Sequence, residues 1–225
     1  MAKDNSARVR QAAQLARKHG RRAGYDRILI VTEGRKTEPL YFDEIRQHHK
    51  LHTANVQVQH GALGTQPLQV VDYAEQLFAS GDANKRIRPG AFEQVYAVFD
   101  RDDHPTYHDA LAKAAALNGR LKNDLGVAIK FEAIASVPCF ELWLLLHFED
   151  VLAPIHRADV YRRLDGYLPG YTKGQGGHFL ATRAGLAAAT QRASQLARRH
   201  EAQDGEQAFT DVHRLVSLLT GLKSG

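Results

Sequence analysis

The chain has 225 residues, 44% of them hydrophobic and 24% charged, which suits one α/β domain with a real core, with or without a small appendage. No apolar run approaches the roughly 20 residues of a membrane span, and no apolar stretch follows the basic N-terminal residues, so neither a membrane protein nor a secreted one is expected. The single cysteine, Cys139, excludes an intrachain disulfide and a Cys₂ metal site and fits a reducing cytoplasm, and no zinc site is expected from the 12 histidines.

The net charge of +5 is unevenly placed. Residues 1–24 carry Lys3, Arg8, Arg10, Arg17, Lys18, Arg21 and Arg22 against Asp4, a balance of +6 that leaves the remainder near −1. This basic arm suits contact with a phosphate backbone, or serves as a solubilising tail. Helix is expected within it between Ser6 and His19. Residues 25–150 read as an α/β core. Arg27 to Thr32 is a first strand, running into Glu33-Gly34-Arg35-Lys36-Thr37-Glu38-Pro39 and a helix that Thr37 is placed to cap. A weaker strand, Asn55 to His60, precedes a helix from Gln66 to Ala79. Val95 to Asp100 is a buried parallel strand, followed by an alanine-rich helix from Tyr107 to Leu121. Val127 to Ala135 is a fourth strand, feeding an apolar helix of about three turns that opens at Pro138. Residues 151–225 read as a helical part packing on the core, with helices over Asp159 to Leu164 and Thr182 to His200. Between them lies a flexible, glycine-rich loop, Gly166 to Phe179, and a last helix follows Thr210 or Asp211. Alternating strands and helices imply a central, mainly parallel sheet with helices on both faces.

Acids cluster where strands end. Asp100, Asp102 and Asp103 occupy three of four positions after an apolar run, and carboxylates so close repel unless a cation joins them. Oxygen-only ligands select a hard ion, Mg²⁺ or Mn²⁺. The plain alternative is a solvated turn in which Asp102 or Asp103 caps the next helix. Glu33 ends another strand beside Gly34, where a partner can approach the backbone closely, or it merely stabilises a helix dipole. Glu141 sits among Phe140, Leu142 and Trp143, where a buried carboxylate needs a metal or cationic partner. Lys173 lies in the glycine-rich loop, whose basic and aromatic residues suit phosphate contact and equally suit a surface lid.

Ile28-Leu29-Ile30-Val31-Thr32-Glu33-Gly34 followed by Val98-Phe99-Asp100-Arg101-Asp102 resembles the Toprim pattern of a strand-tip glutamate and a later DxD. Thr32 to Glu38, Phe99 to His104 and Ser136 to His147 together resemble the RloB-like family of bacterial proteins. The resemblance implies a Toprim-like fold, Mg²⁺ dependence, phosphodiester cleavage and a setting in anti-phage defence or restriction-linked loci. By it, Glu33 is general base or acid and also a metal contact, Asp100 and Asp102 hold Mg²⁺, Glu141 joins the metal site with Asp103 as a further ligand, and Lys173 serves the scissile phosphate or the leaving group. Arg35, Lys36 and Arg101, with Arg17, Lys18, Arg21 and Arg22 of the arm, are the candidate nucleic-acid contacts. A topoisomerase tyrosine with its gate domains is not seen, which leaves simple hydrolysis.

Three functions compete. The first is a nuclease acting on DNA or on RNA such as tRNA, with room for an ATPase partner protein and a homo-oligomer. The second is a nucleic-acid-binding subunit without catalysis, which has no use for acids facing phosphate. The third is a phosphohydrolase of the haloacid dehalogenase type. That last family requires Thr or Val two places after the second aspartate in a first strand, where this chain has His104 in a later one.

Overall fold

The computed structural model describes residues 26–101, 104–202 and 208–222. Four parallel strands form the sheet: β1 (Ile28–Thr32), β2 (Val56–His60), β3 (Gln94–Asp100) and β4 (Lys130–Val137). A two-residue strand, β5 (Phe209–Thr210), closes one edge antiparallel to β4, giving the order β2-β1-β3-β4-β5. The helices are α1 (Thr37–His48), α2 (Pro67–Ser80), α3 (Tyr107–Leu117), α4 (Glu141–Leu145), α5 (Arg157–Tyr167), α6 (His178–Thr182), α7 (Leu186–Ala202) and α8 (Val212–Gly221). The expected α/β architecture is therefore present. No helix of the described residues is long and apolar enough to cross a membrane.

Strand side chains alternate between two cores, as a pleat of period two requires. Ile28, Ile30, Tyr96, Val98 and Ile134 face a core shared with Tyr41, Phe42, the α4 leucines and the C-terminal helices. Leu29, Val31, Val95, Ala97 and Phe99 face a second core against α2 and α3. Both faces are covered, which explains why β1 and β3 read as unbroken apolar runs. The C-terminal helices contribute Val160, Leu196, Leu215 and Leu219 to the first core.

Several expected boundaries move. The fourth strand begins at Lys130, because residues 121–129 first form a loop: Ala128 bridges Lys122, and Val127 is 57% exposed. It runs on to Val137, since a residue before proline is held extended, and Val137 pairs with Phe209. The apolar helix is correspondingly short, Glu141–Leu145, and closes in a tight turn with His147 N–H donating to Leu144 O and Phe148 N–H to Leu145 O. The helix expected over Thr182 to His200 begins only at Leu186 as α7, after the short α6, which ends at Thr182, and a 3₁₀ turn (Arg183–Gly185). Gly185 lies at the break, where a Cβ would come within 2.7 Å of His147 O. Thr37 does not cap α1. It is the first helical residue, and its hydroxyl accepts a hydrogen bond from Gly174 N–H (2.9 Å) instead.

Candidate functional site

The site lies where β1 and β3, neighbours in the sheet, both end. Glu33 N–H donates to Val98 O (2.8 Å), extending the ladder one residue past β1. The Thr32 hydroxyl donates to Gly34 O (2.9 Å), shaping the turn that follows. Glu33 is thus held against the end of β3, and its Oε2 accepts a hydrogen bond from Asp100 N–H (2.8 Å). Its Oε1 lies 3.9 Å from His104 Nε2. Asp100 is only 5% exposed, and its Oδ2 accepts from Arg157 Nη2 at 3.3 Å, at the start of α5. Arg101 N–H is bound by Ser136 O, and its guanidinium lies over the Tyr107 ring at 5.7 Å.

A second layer of ionisable groups lies nearby. Glu141, 1% exposed, accepts hydrogen bonds from the hydroxyls of Tyr171 (3.0 Å) and Tyr161 (3.3 Å). Two tyrosines therefore supply polar partners that burial of this carboxylate demands. Burial, then the Glu141 charge, pushes both tyrosine hydroxyls well above their ordinary range. Burial pushes the Cys139 thiol up as well, with Glu141 and Asp100 adding to it, so this cysteine is a packed neutral group.

Glu38 is a site residue that sequence reasoning missed. It is buried on the first turn of α1, and its Oε2 has no hydrogen-bond partner. Burial raises its carboxyl to about 7, with its own backbone amide and Lys173 lowering it and Glu141 and Glu33 raising it further. Gly34 makes room for it, because a Cβ there would stand 2.1 Å from Glu38 Oε2. A first-turn glutamate carries no distinctive sequence signal, being indistinguishable from a dipole partner. Arg157, Tyr161 and Tyr171 are further members brought in by tertiary packing alone.

Lys173 is exposed on the loop between α5 and α6, close enough for its charge to act on Glu38. That loop is tied to α1 by Gly174 N–H on Thr37, and the start of α6 by Phe179 N–H on Glu44 (2.9 Å). Arg35 and Lys36 are exposed on the turn before α1, and the Lys36 stem packs along Gly174. The structure thus brings Glu33 and Asp100 into contact, and sets Glu38, Glu141 and Lys173 within electrostatic reach. Asp102 and Asp103 lie outside the described residues, as do Arg17, Lys18, Arg21 and Arg22. Among the described residues, no three His, Cys, Asp or Glu side chains converge to hold a metal ion.

No curated protein and no solved structure matches the chain. A family model described as RloB-like protein matches residues 28–219, from the first residue of β1 into the last helix, and includes Glu33, Asp100, Glu141 and Lys173. With the match covering most of its length, this chain belongs to the RloB-like family.

Proposed function

We propose that this chain is a Mg²⁺- or Mn²⁺-dependent nuclease of Toprim-like design that hydrolyses phosphodiester bonds of RNA or DNA. The observation that carries this reading is the Glu33–Asp100 contact at two adjacent strand tips. Carboxyl ends of parallel strands are where such sheets gather ligands. The defence setting rests on the family resemblance alone, and a substrate of that kind sets the work in the cytoplasm.

The donor chemistry fits a hard divalent ion: Asp100 and Glu33 offer oxygen only, and buried Glu38, whose Oε2 is unpartnered, is within electrostatic reach of Glu33. Asp100 with Asp102 would hold the ion, which when bound neutralises charge on the non-bridging and leaving oxygens. Glu33, oriented by the Asp100 amide through Oε2, would take the proton of the attacking water. Lys173 faces the leaving oxygen as a cation, and Glu141, fixed by two tyrosines, holds the local charge balance. Arg157 shares the anionic load of Asp100 before substrate arrives.

The Arg157–Asp100 pair also favours a second reading, a nucleic-acid-binding subunit whose strand-tip acids are balanced by protein cations. Cleavage of tRNA and plasmid with Mn²⁺ or Mg²⁺ separates the two. The nuclease reading expects cleavage that chelation abolishes, whereas the binding reading expects retention of nucleic acid without products.

A further inference from the structure

Beside the strand tips the chain forms a cleft of about 890 Å³ that neither Glu33 nor Glu141 lines. Its walls come from the residues after β3, the end of β4 and the approach to α5. Its lining includes the basic residues Arg101, His104, His108, His156 and Arg157 together with the apolar residues Val137, Pro138, Pro154 and Ile155. The volume falls within the range of small-molecule and cofactor sites.

Two helices start at this cleft. Tyr107 and His108 open α3, and His156 and Arg157 open α5. No side chain caps either helix by a hydrogen bond. Asp109 and Asp159 in their first turns offset part of the two N-terminal dipoles, and the two guanidiniums with the N–H groups of three imidazoles favour an anion here. The apolar lining residues ask for something else: a flat or hydrophobic group attached to that anion. A nucleotide has both parts.

We propose that this cleft holds one unpaired nucleotide of the substrate strand, next to the bond cut at Glu33 and Asp100. This rests on the nuclease reading for its position, because Arg157 also binds Asp100 and Arg101 directly follows it. The phosphate lies against the arginines, histidines and helix starts, and the base against Pro138, Pro154 and Ile155. A paired base is stacked and cannot enter, so the substrate is single-stranded at this point, as in a loop or an open end. Base stacking on an exposed aromatic is not used, since Tyr107 is 4% exposed.

The test is binding of a fluorescent single-stranded oligonucleotide, with its duplex and a nucleoside 5′-monophosphate as competitors, to the full chain in chelator. The variants are His108→Ala with His156→Ala, both exposed positions, and Ile155→Asp, with Lys130→Ala as a distant control. The single strand should bind, the monophosphate should compete weakly, and the duplex should not compete. Both cleft variants should weaken binding about tenfold, from lost charge-assisted contacts or a spoiled apolar lining. Equal binding of duplex, or cleft variants that bind like the parent, would overturn the proposal. Tight monophosphate binding that the single strand cannot displace would overturn it too, and would assign the cleft to a free nucleotide. Metal binding and cleavage by the parent separate the two readings. If the parent neither binds metal nor cleaves but shows the expected binding pattern, the nuclease reading fails and the cleft stands. If it cleaves and the cleft variants bind normally, the cleft fails alone.

Discussion

Glu33 Oε2 accepts a hydrogen bond from the Asp100 amide at 2.8 Å, joining the ends of β1 and β3 through a side chain rather than through the ladder. The carboxylate beside Asp100 is therefore fixed in orientation by the fold. Glu33→Gln keeps an oxygen acceptor for that amide and removes the basic group. It should fold as the parent does and, on the nuclease reading, cleave about 100-fold or more slowly, as removal of a general base usually costs. Single-turnover cleavage with matched circular dichroism measures this, and a variant as active as the parent would strip Glu33 of its role.

Glu38 makes stability depend on pH. Its carboxyl is raised to about 7 from an ordinary value of 4.5, chiefly by burial. Between those values the unfolded chain gives up the proton while the folded chain keeps it. The raised carboxyl's contribution is thus fully present below about 4.5 and is lost as pH rises to about 7, on the order of 3 kcal/mol in all. Glu38→Gln should remove this loss and be more stable than the parent at pH 8, measured by urea unfolding in chelator. A parent and variant with the same pH profile would show that Glu38 ionises freely.

Tyr171→Phe deletes the nearer of two hydroxyls on the buried Glu141 carboxylate. The cost should be about 1–2 kcal/mol, because an acceptor buried in the core is left short of a donor. Tyr161→Phe, at 3.3 Å, should cost less. Chemical denaturation ranks the two, and the reverse order would contradict the geometry.

Arg27 anchors the opposite end of the sheet. It is 5% exposed and binds Glu93 through Nε (2.9 Å) and Asp124 through Nη2 (2.7 Å). Burial pushes the Glu93 carboxyl up, but the Arg27 hydrogen bonds outweigh it and hold it below the ordinary range. Stability from this pair is therefore present above the usual glutamate range and lost as pH falls through the depressed value. Arg27→Met should cost about 2 kcal/mol at pH 7, moderated because both acids partly reach water, and should lose less on acidification than the parent. Urea unfolding at pH 7 and pH 3.5 checks both parts.

Strands β1 and β3 were legible because burial on both faces makes them continuous apolar runs, and Glu33 and Asp100 were legible because they follow those runs directly. β4 was displaced towards the N-terminus because Val127 and Ile129 look like strand residues, although Val127 is exposed and its neighbour Ala128 closes a local loop. β5 is two residues long and exists only through its pairing with β4, so no local pattern marks it. Glu38, Arg157 and the tyrosines around Glu141 depend on where distant helices dock. Arg157 stands 57 residues from the aspartate it binds, beyond what periodicity or spacing can register.

The most direct test of the nuclease reading is calorimetry with Mn²⁺ on the parent and an Asp100→Ala, Asp102→Ala double variant, each shown to be folded by circular dichroism. Binding in the parent and its loss in the variant is the predicted result. A parent that binds no metal, with or without nucleic acid present, would contradict the reading and leave the acids as strand-end partners of Arg157 and the backbone.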